Sequence, residues 1–581
     1  MSQEQNKDMS QYFYRASAAD FMKIPSSPLT YWASKEITKL FSYGLIGEKY
    51  EVREGLGTRD DEIFLRRFWE VSENKVRKGN GTEKWVKTDK AGQFRKWYGN
   101  AEFVMNWEND GFEIRNHRNA DGSLKSRPQN TQFFFKEAIS WNKVGSGITS
   151  FRWRDSTYAF NDAAPSIFGE KLPIVHAMLC SKLFSHLVGL QGGTLNVTTG
   201  IIKSLPLLIL DEAEKVSLRC RSLTKQDWDS AENSLNFQEH QLLSVPIKKS
   251  SMLFSYNELR GEWQAKTDEL HSLEESNNRL FIESYGLQDE LTPEVPLEEI
   301  TLTCNPHYRY GGNRSTEELE TLLQCDTLRE LVSYAIGCMM GRYSLDKPGL
   351  ILASQGETLQ DYLRQIPSPR FVPDDDAILP LTDQEWFADD ATNRFREFIR
   401  VAWGEEHLQQ NLDFVAESLC LHAIKPKKGE ASLDTIRRYL STQFFKDHLR
   451  TYKKRPIYWL FSSGKHKAFE CLVYLHRYNE GTLARMRTEY VIPLTAKLST
   501  YAAKLEKDVE ASTSTAEKKR LEKELTTLHN QQAELATFDE TLRHYADQRI
   551  SLDLDDGVKL NYGKFGDLLA EVKAVTGGAS E

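Results

Sequence analysis

The order of hydrophobic and polar positions divides the chain into an early part with strand periodicity and a later part with helical periodicity. Between residues 50 and 215, short aromatic or alternating runs such as EIFLRRFWEV, AEFVMNW and TQFFFKEAISW are separated by Gly, Asn and Asp clusters, which is typical of strands joined by turns. One apolar run in this part, 176–190, has the spacing of a helix. After residue 216 apolar positions recur at helical intervals. The pattern predicts an α+β protein, with a mixed β-rich domain followed by mainly α-helical domains.

The last helices have the clearest pattern. Apolar residues recur at mainly helical spacing in two series, 498–509 and 521–545, with ASTST between them. Ser514 and Glu517 have the spacing of a capping box, which marks a new helix start. We therefore predict an antiparallel helical hairpin at 490–546 with a coiled-coil-like seam. Packing of one side on the protein body and pairing with a second copy are both compatible with this pattern.

Positive charge is concentrated in the early part of the chain. The whole chain has a net charge of −9, whereas residues 71–154 contain 16 Lys+Arg and 9 Asp+Glu, a net charge of +7. The same segment is rich in Trp, Tyr and Phe between Lys84 and Arg154. Lys and Arg neutralise phosphates, aromatic rings stack on bases, and side-chain amides pair with base edges. The segment predicts a DNA contact, and a surface-charged β domain with an aromatic core is the alternative.

The candidate DNA-binding residues all come from this segment. The main candidates for phosphate contact are Arg95, Lys96, Arg152 and Arg154, with Lys87, Lys90, Arg115, Arg118 and Lys143 in support and Trp97 as a stacking residue. The candidates for base reading are Asn100, Asn116 and Asn142, since an amide can pair with adenine in the major groove. A second basic and aromatic cluster, 452–459, fits a phosphate contact and a solvated turn equally well.

Other motifs give no support for a catalytic, cofactor or metal site. Asn305-Pro306-His307-Tyr308 is similar to the Asn/Asp-Pro-Pro-aromatic loop of amino-group DNA methyltransferases, but His replaces the second proline and no strand–glycine loop–helix precedes it. The acids of 374–376 lack the neighbouring Glu-x-Lys of a nuclease, so turn chemistry explains them better. The thirteen histidines show no HxH or HxxxH pair. We therefore expect no catalytic, cofactor-binding or metal-binding residue in this chain.

The cysteines and the apolar runs indicate the compartment. The seven cysteines are dispersed without a CxxC pair, which is typical of reduced thiols. The first residues, MSQEQNKDMSQ, lack the pattern of a signal peptide. The longest apolar runs are shorter than the roughly 20 residues that span a bilayer. We expect a cytoplasmic protein without a membrane partner.

Several stretches, taken in order, carry a family resemblance. They are IPSSPLTYWAS, GLGTRDDEIFLRRFWEV, GQFRKWYGNAEFVMNWENDG, ISWNKVGSG, NPHYRYGG, IGCMMGRYSLDKPGLI, TYKKRPIYWLFSSGKHKAF and ISLDLDDGVKLNYGKFGDLL. From about Phe21 to the end, the chain resembles the C-terminal half of the PglX family. These are the adenine-specific DNA methyltransferases of BREX (bacteriophage exclusion) defence systems. No single string is a universal motif, but the ordered set is specific.

The resemblance implies the DNA target-recognition and C-terminal portion of such an enzyme, in a bacterial cytoplasm. A complete member carries its S-adenosylmethionine loop and Asn-Pro-Pro-Tyr motif upstream of this region, and nothing here matches either. The cofactor would then bind outside this chain. The implied partners are double-stranded DNA and, where a catalytic half is supplied in trans, a separate methyltransferase subunit with other BREX components.

Two other classes of function stay open. The first is a self-contained DNA methyltransferase or nuclease of a restriction-modification system, using Asn305 and Tyr308 or Asp374 and Asp376. The second is a non-enzymatic interaction module that docks other defence components through the hairpin.

The expected domain organisation combines the periodicity with the resemblance. It comprises a polar lead-in at 1–20, a target recognition domain at 21–215, a helical connector at 216–300, a helical domain at 301–430 and a C-terminal domain with the hairpin at 431–581.

Overall fold

The computed structural model describes most of the chain as two compact units. The described residues are 33–79, 81–145, 147–191, 195–244 and 251–577. Within them, the first unit comprises 33–65, 77–228 and 263–311, and the second comprises 66–76, 229–262 and 312–577. The predicted polar lead-in at 1–20 lies outside the described residues.

The strands are short, and most belong to the early part of the chain. Those among the described residues are β1 (Glu51–Arg53), β2 (Leu65–Arg67), β3 (Trp85–Asp89), β4 (Phe103–Asn106), β5 (Ala138–Trp141), β6 (Phe151–Arg154), β7 (Ala159–Phe160), β8 (Ser166–Phe168), β9 (Ile378–Pro380), β10 (Tyr458–Ser462) and β11 (Glu470–Tyr474).

Helices dominate the rest of the described chain. The first eleven are α1 (Lys35–Leu40), α2 (Ile46–Lys49), α3 (Asp61–Phe64), α4 (Glu108–Arg115), α5 (Leu172–Leu179), α6 (Lys182–Leu190), α7 (Thr199–Lys203), α8 (Ala213–Asp229), α9 (Gln241–Ser244), α10 (Met252–Ser284) and α11 (Pro306–Tyr310). The others are α12 (Thr316–Met339), α13 (Leu359–Gln365), α14 (Ala391–Trp403), α15 (Leu408–His422), α16 (Ser432–Tyr439), α17 (Phe445–Thr451), α18 (Thr482–Arg485), α19 (Ile492–Ala511), α20 (Thr515–Asp547), α21 (Gly557–Gly563) and α22 (Val572–Thr576). The predicted α+β class, β-rich first and mainly helical afterwards, is confirmed.

Two sheets organise the first unit. The strands β1, β8, β5 and β6 adjoin in that order and are antiparallel, and Ser140 of β5 pairs with Arg152 of β6. In the second sheet β3 lies between β4 and β7, antiparallel to the first and parallel to the second. One face of β6 contributes Phe151 and Trp153 to a large apolar core that also contains residues of α5 and α6. The other face carries the two arginines of the strand, since side chains alternate along it.

The predicted single helix at 176–190 is wrong, because the structure has two helices there. The helices α5 and α6 are bent by 69° relative to each other. Ser181 lies at the break, and its hydroxyl accepts the backbone N–H of Phe184 at 3.2 Å, which caps α6. The apolar spacing continues across the break, so periodicity alone did not reveal it. Within the described ranges no single helix is long and apolar enough to cross a membrane, and this bent pair passes that test by length and composition only.

The second unit is built from helices around a small antiparallel sheet. The strand β11 lies between β10 and β9, and its five residues are all buried. Trp459 of β10 meets the Tyr562 ring of α21 edge-on at 5.1 Å between centroids. Ser315 is the N-cap of α12, and its hydroxyl and backbone exchange hydrogen bonds with Glu318 as a capping box.

The predicted helical hairpin is confirmed as α19 and α20. Ser514 caps α20 by accepting the backbone N–H of Glu517 at 3.4 Å. The hairpin also contacts the body of the second unit. Phe538 packs on Phe469 at 6.1 Å between ring centroids, and Glu534 accepts the hydroxyl of Ser463 at 2.7 Å. One side of the hairpin therefore packs on the protein, and pairing with a second copy stays a prediction.

Leu535 of α20 is fully buried, so Leu535→Ala should lower the free energy of unfolding by about 2–5 kcal/mol, through reduced burial and the cavity that remains. Leu560→Ala is the matched control, because Leu560 of α21 is 63% exposed, and its cost should stay within about 0.5 kcal/mol. Urea unfolding measures both. Equal costs for the two variants would contradict the packing of the hairpin.

Candidate nucleic-acid interface

A buried ion pair joins the two sheets of the first unit. Arg154, on β6, donates from Nη2 to Oδ1 of Asp89 on β3 at 2.8 Å and to the carbonyl of Gly99 at 2.7 Å. Asp89 is fully buried and Arg154 is 2% exposed. Burial, the largest single effect, would lower the pKa of Arg154, but the Asp89 carboxylate together with Tyr158 and Tyr98 outweighs it, and the pKa is raised. Arg154 is therefore a charged part of the interior.

Arg152 lies two residues earlier on the same face and has a different environment. Its Nη2 donates to Oδ1 of Asn142 at 2.8 Å and its Nη1 donates to the Ser150 hydroxyl at 3.4 Å, while Nε has no partner among the described residues. The side chain is fully buried. Burial lowers the pKa of Arg152 to about 10, against the opposing effect of the Asp89 carboxylate. Two guanidinium groups thus share the field of one carboxylate.

The loop before β4 is held by acids from two helices. Arg95 lies 3.3 Å from Asp227 of α8, and its guanidinium covers the Trp228 ring at 4.9 Å. Lys96 forms an ion pair with Glu274 of α10, which also accepts the indole N–H of Trp97 at 2.9 Å. All of these side chains are buried. The basic residues of this loop are neutralised inside the first unit.

Asp227 and Glu274 were not predicted from the sequence, although a signal for them exists. Asp227 continues the buried stripe of α8 at positions 213, 217, 220 and 224. Glu274 continues a stripe of α10 that includes the buried residues 263, 267, 270, 277 and 281. An acid on the buried stripe of a helix needs a buried partner. The position of an acid in the stripe therefore predicts that a buried partner exists, but it does not predict which cation that partner is.

The structure separates the thirteen candidate residues by exposure. The buried ones are Arg95, Lys96, Trp97, Asn100, Arg152 and Arg154. The half-buried ones are Lys87, Lys90, Arg115, Asn142 and Lys143, and the exposed ones are Asn116 and Arg118. The buried side chains have internal roles in this structure, so among the thirteen candidates the other seven are the ones accessible to a ligand.

The accessible candidates make mostly weak surface contacts. Lys90 lies 2.5 Å from Asp61, and Lys143 pairs with Glu54. Arg118 donates to the carbonyl of Gly122 at 3.0 Å. Partly exposed ion pairs of this kind contribute little to stability. A phosphate can therefore replace these partners at small cost.

Asn305 of the 305–308 motif caps the helix α11, which contains the other three residues of the motif. The Asn305 side chain is fully buried, accepts the backbone N–H of His307 at 3.1 Å and donates to the carbonyls of Leu297 and Ile300. The Tyr308 hydroxyl donates to the carbonyl of Phe94 at 2.5 Å. Both polar side chains are engaged within the first unit.

The acidic residues 374–376 lie in the second unit, where they contact Arg477 and Tyr490. Arg477 donates to the carbonyls of Asp374 and Asp375 at 2.7 Å each, and Tyr490 donates to Asp376 at 3.1 Å. Burial and the adjacent Asp376 carboxyl raise the pKa of Asp374 to about 8. Across the described ranges no group of three or more His, Cys, Asp or Glu is placed to hold a metal ion.

Two known proteins are similar to nearly the whole chain. No protein-family model matches it. BrxX of Escherichia coli O9:H4 (strain HS), an adenine-specific methyltransferase, is 44% identical over 571 residues, which cover 97% of this chain and 46% of that protein. PglX of Lacticaseibacillus casei (strain Zhang), also an adenine-specific methyltransferase, is 35% identical over 574 residues, which cover 95% of this chain and 45% of that protein. The chain is homologous to the BrxX and PglX methyltransferases.

The homology confirms the resemblance to the PglX family over nearly the whole chain. The chain spans about half the length of the curated relatives it matches. Its correspondence to the C-terminal half of PglX stays a prediction.

Without the Asp89 carboxylate neither of the two buried guanidinium groups would have an opposing charge near it, so Asp89→Asn should lower the free energy of unfolding by about 3–5 kcal/mol. Asp211→Asn is the matched control, because Asp211 and Lys171 form an exposed pair at 3.0 Å and such pairs are worth at most about 1 kcal/mol. Urea unfolding measures both variants. A cost for Asp89→Asn as small as the control would mean that the arginines do not depend on this carboxylate.

The raised pKa of Asp374 predicts a loss of stability with rising pH. The folded protein keeps a proton on Asp374 up to about pH 8, whereas the unfolded chain releases it near pH ~3.9. Stability should therefore fall between about pH 4 and pH 8. Asp374→Asn removes this contribution, so its urea midpoint should decline less than that of the wild type from about pH 5 to about pH 8. Asp211→Asn should retain the wild-type decline, and identical declines in all three proteins would contradict the shifted carboxyl.

Proposed function

We propose that this chain is the DNA target-recognition and C-terminal portion of a BREX-type adenine-specific DNA methyltransferase and binds duplex DNA site-specifically. The observation that carries the proposal is the similarity of nearly the whole chain to two adenine-specific methyltransferases about twice as long. An enzyme that methylates adenine at a defined site needs surfaces that hold the duplex and read its bases. The basic, aromatic segment 84–154 of the first unit is suited to that task.

The DNA surface is proposed to lie on the accessible residues of the first unit. Lys87, Lys90, Arg118 and Lys143 are the candidates for phosphate contact, because each remains partly or largely open to solvent. Asn116 is the exposed candidate for base reading. The buried Arg95, Lys96, Arg152 and Arg154 support this surface from within, by fixing the strands and the loop that carry it.

Methyl transfer is proposed to depend on residues outside this chain. S-adenosylmethionine and the base-accepting loop would be supplied by a separate methyltransferase subunit or by the rest of a longer polypeptide. Other BREX components are the further proposed partners. The side chains of Asn305 and Tyr308 are both engaged in hydrogen bonds within the protein, and that of Asn305 is buried, so they offer no support to a self-contained methyltransferase.

A change of three accessible cations tests the DNA surface. Replacing Lys87, Lys90 and Arg118 by Gln should weaken binding to all duplex sequences and flatten the log–log salt dependence by about 0.9 for each phosphate that is no longer neutralised. Filter binding at several salt concentrations measures both effects. The fold is expected to survive, because none of the three side chains is fully buried.

The matched control removes the same charge from the hairpin. Lys518, Lys519 and Lys523 of α20 are exposed, and their replacement by Gln should leave affinity and salt slope unchanged. A loss of binding with the hairpin variant alone would mean that the DNA contact lies on the hairpin and would contradict the proposed surface. No measurable duplex binding by the unaltered chain would refute the proposed function.

A further inference from the structure

A polar pocket opens beside the turn between β5 and β6 in the first unit. It has a volume of about 330 Å³, and its lining includes Gly92, Phe94, Asn142, Ile148, Thr149 and Ser150. No acidic side chain lines it among the described residues. The Asn142 side chain fixes one wall, donating to the Gly92 carbonyl at 2.7 Å and accepting the Gly92 N–H at 3.3 Å. The Tyr308 hydroxyl holds the Phe94 backbone at another wall.

Arg152, a cation without an ion pair of its own, lies behind the lining of the pocket. Arg152 is fully buried and donates to Asn142 and Ser150, both of which line the pocket. The nearest carboxylate, Asp89, is already bonded to Arg154. Two guanidinium groups and one carboxylate leave one buried positive charge without a counter-charge. A buried charge is costly unless an opposite charge or strong hydrogen bonds compensate it.

The pocket also offers hydrogen-bond donors that the protein does not use. Ser150 accepts from Arg152, so its own hydroxyl proton is available to another acceptor. In the described part of the chain, no hydrogen bond engages the backbone N–H groups of Ile148 and Thr149. Donors and positive charge without a nearby carboxylate favour an anion over a cation or a neutral ligand.

We propose that this pocket binds a phosphate group, with Ser150 and the backbone of 148–149 as its contacts and Arg152 as the positioning residue that supplies charge from below. The proposal rests on the proposed function in so far as the expected source is a backbone phosphate of DNA. A free phosphate or a nucleotide presents the same tetrahedral oxyanion. Val144 and Ile148, 66% and 45% exposed at the pocket, form an apolar rim around it.

The test places a carboxylate at the rim instead of removing the buried arginine. Arg152→Gln alters the interior and risks unfolding, whereas Ile148 is already largely exposed. Ile148→Glu and Ile148→Gln differ by one charge at equal size. The probe is inorganic phosphate, compared with chloride at equal ionic strength, and the readout is the thermal unfolding midpoint, which rises when a ligand binds the folded state.

Phosphate should raise the midpoint of the wild type and of Ile148→Gln. In Ile148→Glu the apparent phosphate affinity should fall by about tenfold or more, because the new carboxylate repels the anion. Absence of any phosphate-specific rise in the wild type would overturn the proposal. Equal rises in the Glu and Gln variants would overturn it as well, since phosphate would then bind elsewhere.

Duplex binding by the same variants distinguishes the source of the phosphate. Weaker duplex binding by Ile148→Glu than by Ile148→Gln, with competition by free phosphate, supports a DNA phosphate in the pocket. Equal duplex binding, with the phosphate effect still abolished in Ile148→Glu, supports a free phosphate or nucleotide. If the wild type binds no duplex but keeps the phosphate-specific rise, the pocket stands and the proposed function fails. If the wild type binds duplex without a phosphate-specific rise, the proposed function stands and the phosphate pocket fails.

Discussion

The Asp89 carboxylate faces two guanidinium groups in the interior of the first unit, and the placement of β6 depends on it. Phe151 and Trp153 of this strand belong to the apolar core, while Arg152 and Arg154 point to the opposite face. A slip of one residue would exchange the two faces and bring both arginines into the apolar core. The carboxylate, the Gly99 carbonyl and the Asn142 amide accept the arginines only in the observed register. Charge and apolar packing therefore specify the same pairing of strands.

The same principle extends to the loop that carries Arg95 and Lys96. Their acids, Asp227 and Glu274, lie on helices far along the chain. The helices α8 and α10 thus complete the interior of the β-rich unit and do more than connect it to the later helices. Buried pairs of this kind seldom add much net stability, since desolvation offsets their attraction. Their contribution is to specify which loop meets which helix.

Periodicity and capping residues were sufficient to predict the elements that depend on local sequence. The helical hairpin has apolar positions at helical spacing and a Ser cap, and both are properties of neighbouring residues. The bend between α5 and α6 was missed because apolar residues continue through Ser181, and only the hydrogen bond to Phe184 reveals the cap. A serine in an apolar run can lie inside one continuous helix or cap the start of a second helix, and tertiary packing decides which of the two forms.

The location of the DNA-binding site stays a prediction, and the sequence did not reveal which of the candidate residues would be buried. Net charge and aromatic content identified the segment around residues 84–154, yet its most conspicuous cations became buried. A basic residue beside a tryptophan, as in Arg95 to Trp97, has the same appearance in sequence whether it faces solvent or an acid on a distant helix. The deciding partners are 132 and 178 residues away, and one sequence contains no direct record of such distances. The accessible residues, which carry the proposed DNA contact, were the less prominent members of the set.

These separations also have a consequence for synthesis on the ribosome. A chain grows by about 5–20 residues per second, so the 178 residues between Lys96 and Glu274 take roughly 10–40 s to be made at that rate. During this interval the nascent segment carries its excess of positive charge without the acids that later enclose it. Completion of the first unit therefore waits for the emergence of α10.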